Sequence, residues 1–263
     1  MPTTYAHYKF GCDALQLLEG QPLAETIKKE RAMFDWGVHG PDLCFYYHPA
    51  RSNPVFRAGR YYHQMTGHRF FRQQADLLRK YVGQPDVSAP YIAYLLGVLC
   101  HYTLDRECHP YIAVKEQEGA SHDAIEAHFD RLLIKKDGFT PNTFRPTGHL
   151  HPSERSAAII SEFYPEVSPA EFLEAERGML RILGMLSSPA LPRTFFRCIA
   201  SFRGADDMFM PLRDDHRYDE TNTALLDLYQ SALSHYPALL SQLVRFIRSH
   251  EALGQEFDPT FSV

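Results

Sequence analysis

The sequence predicts an all-α fold, a single-domain helical bundle covering residues 1–263. Three observations carry this. Apolar residues recur at helical spacing along most of the chain. Alternation of strand type never extends beyond a few residues. Helix-boundary residues recur between the periodic stretches, with Ser at N-cap positions, Pro in first turns and Gly after last turns. A chain of 263 residues, 44% hydrophobic, is long enough for one sizeable core. There is no internal repeat or low-complexity segment. The loop "DGFTPNTFRPTGHLHPS" at 137–153 is the only candidate boundary.

Taken in order, "ALQLLEG" closes a first helix at Gly20, and "PLAETIKKERAMFDWG" reads as one helix from Pro22 to Gly37. "VHGPDLCFYYHPARSNPVF" carries one Gly and three prolines and reads as a long loop. Helical spacing resumes in "RAGRYYHQMTGHRFFRQQADLLRKYVG". "SAPYIAYLLGVLCHYTLDRECHP" is the central helix, with Ser88 as N-cap, Pro90 in its first turn and a stop at Pro110. Ser121 caps the next helix, "HDAIEAHFDRLLIKK". Ser168 and Glu171 form a capping box ahead of "PAEFLEAERGMLRILGML". The last third reads as amphipathic helices interrupted at Pro237.

Bulk properties narrow the function. The net charge of −5 supplies no basic field for phosphate backbones, so no stable nucleic-acid complex is expected. No uninterrupted apolar run approaches the ~18 residues of a membrane span. The first residues lack a basic segment followed by an apolar run. Five cysteines, an odd number with no CxxC pair, point to free thiols. Together these predict a cytoplasmic protein. Eight of the 14 histidines lie between His63 and His151.

Those histidines fall into a pattern. At 3.6 residues per turn, positions i, i+4 and i+8 stay within about 80° of one another. His101, Asp105 and His109 therefore share one stripe, directly after the apolar run "YLLGVL". The next helix repeats it with His122, Glu126 and Asp130. Burying several titratable groups costs free energy unless something pairs with them, and a metal ion does so economically. Imidazole nitrogen and carboxylate oxygen are zinc donors, at about 2.0–2.2 Å. Antiparallel neighbouring helices can turn both stripes into one bundle core. Asp130, one turn beyond the pair, reads either as an outer acceptor for an imidazole N–H or as a surface charge. His128 lies off the stripe, as a surface residue.

"GVLCHYTLDRECHPYI" and "HDAIEAHFD" resemble the signature of the zinc-dependent phospholipase C family, whose fold is shared with single-strand-specific nucleases. "MPTTYAHYKFG", "WGVHGPDLCFYYHP" and "GRYYHQMTGHRFF" resemble that family's N-terminal segment, Gly-Pro-Asp loop and histidine-bearing helix. The resemblance covers roughly residues 1–135. It implies an all-α bundle with two or three zinc ions. One ion would be held by Asp42, His63, His101 and Asp105, and a second by His109, His122 and Glu126. Asp105 would bridge to a third, alongside His7. His63 rather than His68 takes the family position, since it follows "GRYY"; His39 and His48 are rim residues. Two features depart from the secreted members. They complete the third site with an N-terminal tryptophan, whereas the only tryptophan here is Trp36, and their gap between helix aspartate and following histidine is longer than the Asp-x3-His of Asp105 and His109.

The implied activity is hydrolysis of a small-molecule or lipid phosphoester, with Asp42 orienting or deprotonating the attacking water. The aromatic and Arg-rich stretch "LCFYYHPARSNPVFRAGRYY" suits a headgroup pocket with Arg57 or Arg60 at the phosphate, and equally a stacked base. A nuclease or phosphatase on the same fold, and a non-catalytic metal-binding protein, are the alternatives. Iron or manganese would accept the same N/O donors. Nothing in the sequence fixes the oligomeric state.

Overall fold

The computed structural model describes residues 4–49, 51–81, 83–187, 206–249 and 251–262. They form an all-α structure whose α-helices are α1 (Thr4–Leu17), α2 (Pro22–Lys29), α3 (Arg31–Gly37), α4 (Pro54–His63), α5 (Gly67–Arg79), α6 (Pro85–Gln117), α7 (His122–Lys136), α8 (Glu154–Phe163), α9 (Pro169–Leu186) and α10 (Asp219–Ser249). A 3-10 segment, Gly40–Tyr46, follows α3. Among the described residues the only β-type pairing is an isolated bridge between Thr66 and Thr260.

Helix α6 is the axis of the fold, packed by α1, α2, α3, α5, α7, α8 and α10. Every residue from Ala93 to Asp105 is buried. It is long and apolar enough to cross a membrane, but its most apolar window is 78% buried against the rest of the protein. It crosses α3 at contact distance through two glycines. A Cβ on Gly97 would lie 2.4 Å from the Phe34 carbonyl oxygen, and one on Gly37 would lie 2.2 Å from that of Tyr94. This close approach sets the 3-10 segment beside the middle of α6. Gly40 makes the turn at φ 46°, a region that costs a side chain conformational strain.

Several boundaries differ from the sequence reading, each for a local reason. The stretch from Pro22 to Gly37 is two helices, because Glu30 leaves the helical region at φ −109°, ψ 36°. The expected loop from Val38 to Phe56 holds the 3-10 segment and the start of α4, where Asn53 accepts the Phe56 N–H at 2.8 Å as an N-cap. The helix expected near Arg60–Gly83 is divided at 64–66, with Thr66 capping α5. Helix α6 starts at Pro85 rather than near Ser88, and it runs seven residues past Pro110. Pro110 is exposed, so its ring meets solvent rather than a packed neighbour. Pro237, also exposed, likewise sits inside the unbroken α10. The caps at Ser121 and Ser168 form as expected. Cys12, Cys44, Cys100 and Cys108 are free thiols, three of them buried; Cys198 lies outside the described residues.

Candidate metal centre

Five elements deliver imidazoles and carboxylates to one cavity. Helix α1 brings His7, the 3-10 segment Asp42, α4 His63, α6 His101, Asp105 and His109, and α7 His122 and Glu126. The cavity has a volume of about 310 Å³, and all of these residues except His101 line it, together with Phe45, Arg60, Gln64 and Ser262. His101 lies beneath the others with no exposed surface.

The donor atoms fall into three groups whose members lie within 4.8 Å of one another: Asp42, His63 and His101; His7, His101 and Asp105; and His109, His122 and Glu126. His63 Nε2 is 2.8 Å from Asp42 Oδ1. His101 Nε2 is 3.0 Å from Asp105 Oδ2. The other Asp105 oxygen, Oδ1, is 3.3 Å from His7 Nε2 and 3.6 Å from His109 Nε2. His122 Nε2 is 3.1 Å from Glu126 Oε1. His101 belongs to two groups but has one nitrogen to give. Asp105 has two oxygens turned toward different imidazoles, so it is the residue able to serve two centres.

The remaining ring nitrogens are already committed. His101 Nδ1 meets the Val38 carbonyl at 3.2 Å, His63 Nδ1 the Gly59 carbonyl at 2.8 Å, and His109 Nδ1 the Phe261 carbonyl at 2.7 Å. His122 Nδ1 meets Glu116 Oε2 at 3.1 Å. A carbonyl or carboxylate accepts only from a protonated nitrogen. In its neutral form each of these rings is thereby held as the Nδ1–H tautomer, with the Nε2 lone pair aimed at the cluster. That is the orientation a metal ligand needs. His101 Nε2 is fully buried, and the polar atom facing it is the Asp105 carboxylate oxygen. An all-N/O donor set of imidazole nitrogens and carboxylate oxygens, converging within 4.8 Å in each group, fits zinc.

Charge is balanced inside the cluster. Burial alone would lower the His101 pKa, yet the Asp105 and Asp42 carboxylates raise it to about 9. His122 also reaches about 9, because Glu126 outweighs its burial. Conversely, burial would raise the Asp105 carboxyl, but His101, His109 and His7 hold it well below its usual range. Asp42 is lowered against burial by His63 and His101. The Glu126 carboxyl is likewise held well below its usual range against burial, so all three acids of the cluster are carboxylates at neutral pH.

Residues around the cluster differ from expectation. Asp130 is neither an imidazole acceptor nor a surface charge. It is buried, and it accepts the Tyr5 N–H at 3.0 Å and the Ala6 N–H at 2.8 Å. It thus caps the first turn of α1 and positions His7 one residue later. His39 is not a rim residue; it is buried, with Nε2 3.2 Å from His149 Nε2. His48 is exposed beside Glu174 at 3.1 Å. His128 is half-buried, stacked on Tyr218 with ring centroids 4.0 Å apart. Arg60, not Arg57, lines the cavity. The sequence reading missed the residues that orient the imidazoles: Val38, Gly59 and Phe261 act through main-chain carbonyls and carry no side-chain signal, and Glu116 reaches His122 across the junction of α6 and α7.

The fold and this cluster define an all-helical protein with a centre of imidazoles and carboxylates that could hold metal ions. The chain belongs to the zinc-dependent phospholipase C family, whose model matches residues 6–176, a span that includes all eight donors. Neither the curated proteins nor the solved structures compared gave a match. Family and clusters together support a metal-dependent, phosphoesterase-like role.

Proposed function

We propose that this protein is a zinc-dependent phosphodiester hydrolase acting on a small-molecule or lipid phosphoester, with two or three zinc ions held by His7, Asp42, His63, His101, Asp105, His109, His122 and Glu126. One observation carries the reading above a structural role. The group of His109, His122 and Glu126 offers three donors and opens onto a 310 Å³ cavity. Structural zinc sites are closed by four protein ligands, whereas catalytic ones keep a position open.

Zinc in such a site lowers the pKa of a bound water toward neutrality and withdraws charge from phosphoryl oxygens. The protein's own groups supply the rest. Asp42 is a carboxylate at the cavity wall, with Oδ1 against His63; it accepts a proton from the attacking water or orients it. Arg60 stands at the mouth with its guanidinium available to an anionic phosphoester. Phe45 forms an apolar wall beside His63, ring centroids 5.1 Å apart.

The test is hydrolysis of phosphatidylcholine vesicles and of a chromogenic phosphodiester by the purified protein. The activity is expected to vanish on chelation and return with zinc. Metal-loaded protein inactive on both substrates, and on single-stranded oligonucleotides and phosphomonoesters, would contradict the proposal.

A further inference from the structure

The segment from Gly254 to Ser262 lies far beyond the family-matched region, yet it runs across the α4–α5 turn and onto the metal-bearing half of α6. Its main chain meets groups that helix ends leave unbonded. The Gly67 N–H, at the start of α5, donates to the Pro259 carbonyl at 2.9 Å. The His63 carbonyl, at the end of α4, accepts the Ser262 N–H at 3.0 Å and its hydroxyl at 3.3 Å. Tyr102 on α6 donates its hydroxyl toward the Glu256 and Pro259 carbonyls, 3.1 Å from each, and Arg106 reaches the Glu256 carbonyl at 2.5 Å. Phe257 and Phe261 have no exposed surface. Phe261 packs 5.0 Å from Tyr102, 5.3 Å from Phe70 and 6.0 Å from His101, centroid to centroid. The Phe261 carbonyl then accepts from His109 Nδ1 at 2.7 Å.

We infer that residues Asp258–Ser262 are a positioning strap of the metal centre: the Phe261 carbonyl fixes the His109 imidazole, and Ser262 clamps the carbonyl of His63 while its side chain completes the cavity mouth. The strap thereby ties a donor of each of two groups, one on α4 and one on α6, to a single short segment. Phe261 supplies the anchoring, since its ring fills the core beneath His63, His101 and Tyr102. Without the strap, His109 loses the acceptor that keeps its Nδ1 protonated and its Nε2 free. Outer partners of this kind are worth about 10–100-fold in metal affinity. The inference rests on the metal-centre reading for its consequence, but its structural content is independent of metal.

Two measurements test it. In the metal-free, full-length protein labelled with nitrogen-15 histidine, at a pH high enough for the His109 ring to be neutral, His109 is expected to appear as the Nδ1–H tautomer with a slowly exchanging Nδ1 proton. An Nε2–H tautomer or a fast-exchanging Nδ1 proton overturns the strap, and this outcome needs no variant to fold. The second measurement is zinc competition with a chromogenic chelator. A chain ending at Thr260 is expected to bind one class of zinc about 10–100-fold more weakly, whereas Phe261→Leu, which keeps the main chain, is expected to retain more of that affinity. A folded truncated chain with full zinc affinity overturns the inference. A full-length chain that binds no zinc but fixes His109 as Nδ1–H supports the strap and overturns the metal reading, so the two fail separately.

Discussion

Asp105 lies one helical turn beyond His101 on the same face of α6, and its Oδ2 stands 3.0 Å from His101 Nε2. Its second oxygen is turned to His7 and His109. One carboxylate therefore faces three imidazoles from two helices. Asp105→Asn keeps the shape but removes the charge and turns one oxygen into a donor. The variant is expected to lose at least one metal equivalent and to fall about 100-fold or more in phosphodiesterase activity, since an outer partner alone is worth about 10–100-fold. Metal content by elemental analysis and rates on the same preparation check this. Full metal retention would remove Asp105 from its bridging position.

The stability of the metal-free protein and the stabilisation added by zinc are expected to respond to pH in opposite directions. His101 and His122 have folded-state pKa values of about 9, above the ordinary 6.5. A raised pKa gives stability that is complete below about pH 6.5 and is lost as pH climbs to about 9. Zinc needs the same nitrogens unprotonated, so its affinity grows across that window. Calorimetry of chelated protein should show Tm falling from pH 6.5 to 9 for this contribution, while the increase in Tm on adding zinc becomes larger. An increment that shrinks with rising pH would contradict the assignment of these imidazoles as donors.

Asp130 positions His7 by capping α1 with two backbone bonds. Asp130→Ala leaves the Tyr5 and Ala6 N–H groups buried without that acceptor and is expected to cost about 1–3 kcal/mol by denaturant unfolding. Asp130→Asn, with one acceptor oxygen left, is expected to cost less. Both should lower zinc content more at the site of His7 than at that of His122, which anomalous scattering from crystals of the variants can compare.

Gly97→Ala pits two effects against each other. Alanine gains about 1 kcal/mol over glycine inside a helix. The new Cβ, however, would meet the Phe34 carbonyl at 2.4 Å, and that atom is backbone. Overpacking of this kind typically costs about 1–3 kcal/mol, so net destabilisation is expected. A stability equal to or above wild type would mean that α3 and α6 do not cross so closely.

Much of this architecture was legible because helices impose a fixed geometry on sequence. The spacing of His101, Asp105 and His109, and of His122 and Glu126, put those side chains on inward faces before any coordinates. The caps at Ser121 and Ser168 were equally plain. What escaped was non-local or main-chain in origin. The helix stop at Pro110 and the interruption at Pro237 failed because both rings sit on the solvent side of helices that burial holds together. The tie between Asp130 and α1 spans more than a hundred residues, and that between Phe261 and His109 runs through a carbonyl, which every residue possesses. His39 looked like a loop residue, since nothing in its neighbourhood shows that His149 will pack against it.

Arg60 at the cavity mouth makes no contact needed to hold the donors. Arg60→Ala is expected to raise KM for anionic phosphodiesters about tenfold, the order of one charge-assisted hydrogen bond, with kcat and zinc content little changed. Steady-state kinetics beside elemental analysis separates this from a loss of metal.

The most direct test of the central claim is the zinc content of the protein purified without added metal, measured by elemental mass spectrometry against protein concentration. Two or three equivalents per chain are expected from the three donor groups around Asp105. Less than one equivalent of any transition metal, in protein whose helical content is intact, would contradict the metal centre and leave these stripes as a buried network of paired imidazoles and carboxylates.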